Sequence, residues 1–364
     1  MDSDLSTDDT SAASQGGQPK LFVPFILILV CALAIGFGIR YYKNRSKPTT
    51  EVAWEVYFSR VSTAPIGEND PYSLDKRLVA RLGAAAVRVD AALYHLDSTP
   101  VADALIEAHN RGVKVRVVTE ADNVDEQEIE RLQEAGIRVA DDGNNEGYMH
   151  HKFIVIDERY VWTGSYNITY NGAYRNNNNV ILIDSVPLAY NFTQEFRDLL
   201  LNAQDSKSAD TFIAYPKITL MDGMQVFTYF SPGSDTISPL LREIKSAEKS
   251  IHFMAFSFTH DRLGNAMQDR FKSGVDVRGV FEARQVDQYS EYEKLEAAGL
   301  PVIKDRNSGA MHHKVIVIDG ETVITGSYNF SKNAEKRNNE NLLIIRGNRD
   351  IAAAYLAEFE KITR

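Results

Sequence analysis

Two stretches of the chain, "MHHKFIVIDERYVWTGSYN" at 149–167 and "MHHKVIVIDGETVITGSYN" at 311–329, pack short apolar runs against an acidic turn. Each run is brief and rich in β-branched residues, so each stretch reads as a hairpin, strand then tight turn then strand. Counting by two along the second hairpin puts His312, Lys314, Ile316 and Ile318 on one face and His313, Val315, Val317 and Asp319 on the other. The same parity joins His150 to Lys152 and sets both apart from His151 and Asp157. Around the hairpins, "VFTYF" predicts a strand, "SPLLREIKSAEKS" an amphipathic helix, "IHFMAFSFT" a buried strand and "LGNAMQDRFKSG" a helix ended by Gly274. "VDVRGVFE" alternates as a further strand. Strands alternating with helices predict an α/β fold whose largely parallel or mixed sheet is covered on both faces.

The chain also repeats itself. His150 and His312, Lys152 and Lys314, Asp157 and Asp319, Gly164 and Gly326, and Asn167 and Asn329 all lie 162 positions apart. The match extends upstream through "GVKVRVVTEA" and "GVDVRGVFEA". At "YFS", found at 57–59 and 229–231, the offset grows to 172, which leaves about ten extra residues in the first copy near "APIGENDPYS" as a surface loop. Two domains are expected, 51–205 and 206–364, meeting in the polar stretch "NAQDSKSADTF" and packed side by side about a pseudo-twofold axis.

Residues 1–20 are polar and acidic and predict a disordered tail. Residues 21–39, "LFVPFILILVCALAIGFGI", are uncharged and, at about 1.5 Å per residue, span roughly 28 Å as a helix, which predicts one transmembrane segment. A linker, 40–50, follows it. Arg40, Lys43, Arg45 and Lys47 beyond the segment, against Lys20 before it, place the large domain in the cytoplasm of a single-pass membrane protein.

Composition narrows the chemistry. With 364 residues, 44% of them hydrophobic, the chain can bury sizeable cores. Its only cysteine, Cys31, excludes a disulfide framework and a cysteine-rich zinc site. No metal-ligand spacing is present, and no cofactor is expected. Residues 51–364 carry a net charge of about −11, which lacks the broad basic footprint of a tight nucleic-acid binder.

One His and one Lys from each copy, joined by pseudo-symmetry, offer two imidazoles and two ammonium groups to one cavity. That set suits a phosphodiester: lysines neutralise nonbridging oxygens, one imidazole attacks phosphorus, and the other protonates the leaving oxygen. Imidazole is apt because either protonation state is accessible near neutrality.

Both stretches fit H-x-K-x4-D-x6-G-S-x-N, and on that pattern the chain resembles the phospholipase D superfamily from its "VYFS" region to the C-terminus. "YFSP" and "NNEN" look like its compact branch of small nucleases and mitochondrial cardiolipin hydrolases. The resemblance implies two phospholipase D-like α/β/α sandwich domains and a phosphohistidine on His150 or His312, with Lys152 and Lys314 holding phosphate. It gives Asn167 and Asn329 hydrogen bonds to phosphoryl oxygens, and leaves Ser165, Ser327, Asp157 and Asp319 in supporting roles. Glu340 matches a carboxylate that orients the neighbouring histidine, where the first copy has Asn178. A carboxylate on one ring nitrogen makes the other a better nucleophile, which favours His312, whereas two-motif relatives commonly use the first histidine. The nucleophile stays open between them.

His151, His313, His95, His109, His252 and His260 read as structural. Glu120 and Glu282, which recur at strand ends, read as caps or solvated groups, while Arg175 and Arg337 face either substrate or solvent. The predicted activity is a phosphoric diester hydrolase working as a monomer with an internal pseudo-dimer, on phospholipid at a membrane. A metal-independent nuclease, a phosphatidyltransferase and a non-catalytic lipid- or nucleic-acid-binding scaffold are the alternatives.

Overall fold

Residues 53–59, 61, 70–143, 147–205 and 212–364 are described in a computed structural model. The two apolar hairpins form as expected. Lys152–Ile156 pairs antiparallel with Tyr160–Gly164, and Lys314–Ile318 with Thr322–Gly326. At each turn Asp157 or Asp319 takes a left-handed φ, 55° and 53°, which aspartate tolerates because its short side chain can bond local backbone.

The strands of the first copy are β1 (Trp54–Phe58), β2 (Arg88–Leu93), β3 (Lys114–Thr119), β4 (Arg138–Asp141), β5 (Lys152–Ile156), β6 (Tyr160–Gly164) and β7 (Asn179–Asp184). Those of the second are β8 (Lys217–Thr219), β9 (Gln225–Ser231), β10 (Ser250–Ala255), β11 (Asp276–Phe281), β12 (Val302–Lys304), β13 (Lys314–Ile318), β14 (Thr322–Gly326) and β15 (Glu340–Arg346). They form two mixed sheets, ordered β1-β7-β6-β5-β2-β3-β4 and β8-β9-β15-β14-β13-β10-β11-β12. Apart from β8 the orders are the same. Parallel pairing holds at β2-β3-β4 and β10-β11-β12, where helices make the crossovers, and antiparallel pairing elsewhere. The chain is therefore a two-domain α/β protein.

Three apolar cores hold it together. One lies within each half, on the side covered by the helices Leu74–Gly83 and Thr99–Asn110, or Ile237–Ser246 and Asp261–Lys272. The third is shared: Phe153 and Val155 of β5, Val315 and Val317 of β13, and the long helices beginning at Val186 and Arg349 bury Phe192, Phe196, Tyr355 and Phe359 together. Each fully buried Phe is worth about 1.5–3 kcal/mol, so this shared core welds the halves. It also gives the hairpin parity its meaning: the Val315 and Val317 face turns to the shared core, the Ile316 and Ile318 face to the second half's own.

Several elements lie beyond the predicted set. The short helices Tyr170–Tyr174 and Lys332–Lys336 follow each G-S-x-N, capped by Thr169 and Ser331, whose side chains accept from Gly172 N and Ala334 N. Edge strands β4, β8 and β12 are three or four residues long and carry too little pattern to read.

The expected localisation is corrected. Among the described residues no helix is long and apolar enough to cross a membrane. The segment 21–39, with the tail and linker beside it, lies outside the described residues, as does most of the predicted extra loop.

Candidate active site

Strand parity delivers His150 and Lys152 at the start of β5, and His312 and Lys314 at the start of β13. The backbone then locks these starts to the opposite half. His150 N donates to Asn339 O at 3.0 Å and Asn339 N to Tyr148 O at 2.8 Å; His312 N donates to Asn177 O at 2.9 Å and Asn177 N to Ala310 O at 2.7 Å. Every contact recurs with the halves exchanged, as an isologous pairing requires. The approach is so close that a Cβ on Gly147 would sit 2.0 Å from Arg337 O, and one on Gly309 1.9 Å from Arg175 O.

All four predicted basic side chains are nearly or fully buried. Lys152 Nζ donates to His150 O at 2.7 Å and Lys314 Nζ to His312 O at 2.9 Å. Each ammonium lies over an aromatic ring, Lys152 above Tyr94 at 4.8 Å and Lys314 above Phe256 at 4.6 Å. The same rings meet His150 and His312 edge to face at 4.8 and 4.5 Å. Burial, and then the two ammonium groups, hold both imidazoles well below their usual pKa. Burial drives Lys152 down to about 7, against the pull of Glu340 and Glu120, and burial and then Lys152 push Lys314 well below its usual value. The four groups thus act on one another within a single site.

The histidine partners cross between halves, and here the sequence reading is corrected. Glu340 does not contact His312. His150 Nδ1 lies 2.8 and 2.9 Å from the two oxygens of Glu340, while His312 Nδ1 lies 3.0 Å from both Ser165 O and Asn178 Oδ1. The reason is topological: β15 and β7 start at the seam, so Glu340 and Asn178 meet the other half's histidine. Ser165 Oγ donates to Asn178 Oδ1 at 2.8 Å, and Ser327 holds Glu340 in the equivalent place. Burial raises Glu340 to about 7 against the opposing pull of Lys152.

Asp157 and Asp319 stand apart from this cluster. Asp157 accepts from Ala86, Val87 and Arg88 N, and Asp319 from Glu248, Lys249 and Ser250 N, so both pin the hairpin turn to the residues that lead into the neighbouring strands β2 and β10. Asn167 and Asn329 follow β6 and β14, half-buried, with amide oxygens that have no hydrogen-bond partner among the described residues.

Glu120 and Glu282 are buried caps of an unexpected kind. They accept from Met149 N at 2.5 Å and Met311 N at 2.6 Å, fixing the backbone immediately before each site histidine. Burial and the neighbouring Asp142 push Glu120 up to about 7, whereas Glu282 pairs with Arg284 at 2.6 Å. Tyr94, Phe256, Gly147, Gly309, Asn179 and Asn341 complete the site and its seam. All three pairs recur at the 162-residue offset, the signal by which the chain alone could have shown them.

The family model described as "Cardiolipin synthase, PLD-like domain" matches residues 78–200 and again 240–363. The chain belongs to the phospholipase D-like family. Phospholipase D of Rickettsia prowazekii is 32% identical over 158 residues, 43% of this chain and 77% of that protein. The mitochondrial cardiolipin hydrolase of Homo sapiens is 37% identical over 131 residues, 36% of this chain and 52% of its own length. Among solved structures, phosphatidylserine synthase of Haemophilus influenzae superposes with a TM-score of 0.62 at 14% identity, over 85% of this chain and 86% of that one, a likeness of fold. Membership of the phospholipase D-like family makes the protein a phosphodiesterase.

Proposed function

We propose that this phosphodiesterase cleaves phospholipids, with His150 as nucleophile and His312 as general acid and then base. The observation that carries the roles is the unequal pairing across the seam, Glu340 on His150 against Asn178 on His312. A carboxylate on Nδ1 raises the basicity of Nε2, and an amide does not. His150 therefore has the better lone pair, and His312 gives up a proton more readily.

In the first step His150 Nε2 attacks phosphorus, the phosphorus–oxygen bond to the leaving alcohol breaks, and His312 delivers its proton to that oxygen. The phosphorylated imidazolium keeps its Nδ1 proton on Glu340. In the second step His312 takes a proton from water, the hydroxide attacks phosphorus, and the phosphorus–nitrogen bond breaks to return neutral His150 and a phosphomonoester. Lys152 and Lys314 sit on the nonbridging oxygens, and the anion between them restores their ammonium form. Asn167 and Asn329 hydrogen-bond the same oxygens. One chain supplies both halves of the site.

Lipid is supported by the names of the relatives, phospholipase D and cardiolipin hydrolase, and by the acidic body, which disfavours long polyanions. The full chain is to be given vesicles of phosphatidylcholine with cardiolipin, and separately single-stranded DNA. Release of phosphatidic acid or head group with intact DNA is expected; DNA cleavage with intact lipid refutes the substrate.

A further inference from the structure

The hydrogen bonds across the seam close into two rings. In the first, His150 bonds Glu340, Ser327 holds Glu340, and Asn341 donates to Ser327 Oγ through both its backbone N at 3.0 Å and its amide at 3.3 Å. The amide also reaches His151 Nδ1 at 3.3 Å, which returns the ring to the residue beside His150. In the second, His312 bonds Asn178, Ser165 donates to Asn178 Oδ1 at 2.8 Å, and Asn179 N donates to Ser165 Oγ at 3.1 Å. Asn179 Nδ2 then lies 2.8 Å from His313 Nδ1, beside His312.

Both asparagines are fully buried and their amides are oriented from outside the rings. Thr163 Oγ1 donates to Asn341 Oδ1 at 2.7 Å, and Thr325 Oγ1 to Asn179 Oδ1 at 2.8 Å. A serine hydroxyl has one proton and two acceptor sites. Each side-chain amide also donates to the serine oxygen, Asn341 Nδ2 to Ser327 Oγ at 3.3 Å and Asn179 Nδ2 to Ser165 Oγ at 3.4 Å, so that each asparagine helps turn that single proton toward Glu340 in one ring and toward Asn178 in the other, and alanine removes this donor. The serine proton in turn fixes the group that holds the site histidine.

We propose that Asn341 and Asn179 are positioning residues with different duties: Asn341 aligns His150 for attack on phosphorus, and Asn179 aligns His312 for proton transfer. The proposal rests on the roles assigned to the two histidines above.

The two duties separate with bis(4-nitrophenyl) phosphate and rapid mixing of the full-length protein. Nitrophenolate leaves without a proton, so its first release needs His150 alone, whereas continued turnover needs His312 to activate water. N341A is expected to slow the initial burst at least about tenfold, the scale on which loss of an orienting partner is felt. N179A is expected to keep the burst and slow steady turnover by a similar factor. The residues occupy matching places in the two rings, Asn179 with an added hydrogen bond from Tyr355 Oη at 3.1 Å, so a merely structural role lowers burst and steady turnover alike within each variant. That outcome, or unchanged kinetics, overturns the proposal. N341S and N179S leave smaller cavities and are expected to show the same split if either alanine variant fails to melt cooperatively. H312A is the control for the roles themselves. It should burst and then stall, and a trace without a burst sinks the role assignment and the positioning assignment together, whereas a burst in H312A without the asparagine split sinks only the latter.

Discussion

Glu340 and Asn178 occupy equivalent positions in the two halves, and the difference between a carboxylate and an amide there breaks the symmetry of the site. Both imidazoles are buried, both lie beside two ammonium groups, and both offer Nδ1 to the opposite half. Only His150 has a negative partner. Among the charge states that the proposed chemistry needs are an ionised Glu340 and a protonated Lys152, and burial moves both groups to about 7 from opposite sides. As pH falls through 7, Glu340 gains a proton and stops supporting His150. As pH rises through 7, Lys152 loses its charge for the phosphoryl oxygens. kcat/KM, which reports the free enzyme, is therefore expected to fall on both the acid and the alkaline side. Glu340→Gln should lower activity at least about 10²-fold and abolish the acid limb of what remains. A variant that keeps that limb shows another group to be responsible.

At the scale of elements, the site is made by where strands begin. The basic pairs stand where the chain enters β5 and β13, their partners where it enters β7 and β15, and all four entries lie at the seam. The hairpins and the parity that groups His150 with Lys152 were legible because alternation over apolar β-branched residues has few other solutions. The separation of Asp157 and Asp319 from the site followed from the same count. What alternation could not reveal was which half supplies each histidine's partner: Glu340 follows His312 by 28 positions, yet it meets His150. Periodicity speaks of faces within one sheet, whereas this contact depends on two sheets meeting. Edge strands β4, β8 and β12 were illegible for want of length. The seam itself depends on two glycines. Gly147→Ala and Gly309→Ala place a methyl group against backbone carbonyls of the other half, so each should destabilise by about 1–3 kcal/mol and lower activity with it. Gly83→Ala, where a Cβ meets nothing within 4 Å, is the control and should leave both unchanged. Equal melting temperatures for all three would show that the seam tolerates separation.

For the molecule as a whole, duplication gives two copies of one scaffold, and the shared core keeps them in the register that a two-histidine site requires. The duplicated α/β architecture was plain in the chain because the repeat carries its own alignment. The membrane segment was an inference from residues 21–39, which lie outside the described part. Duplication also frees one copy to change: a strictly symmetric site could not give its two histidines different partners within one chain. In the proposed mechanism the covalent step is where that asymmetry becomes visible. H312A, mixed with bis(4-nitrophenyl) phosphate, quenched in base to preserve phosphohistidine and digested for mass spectrometry, should carry a phosphoryl adduct on the peptide that contains His150. An adduct-free protein, or one in which only H150A accumulates the adduct and holds it on His312, contradicts the account.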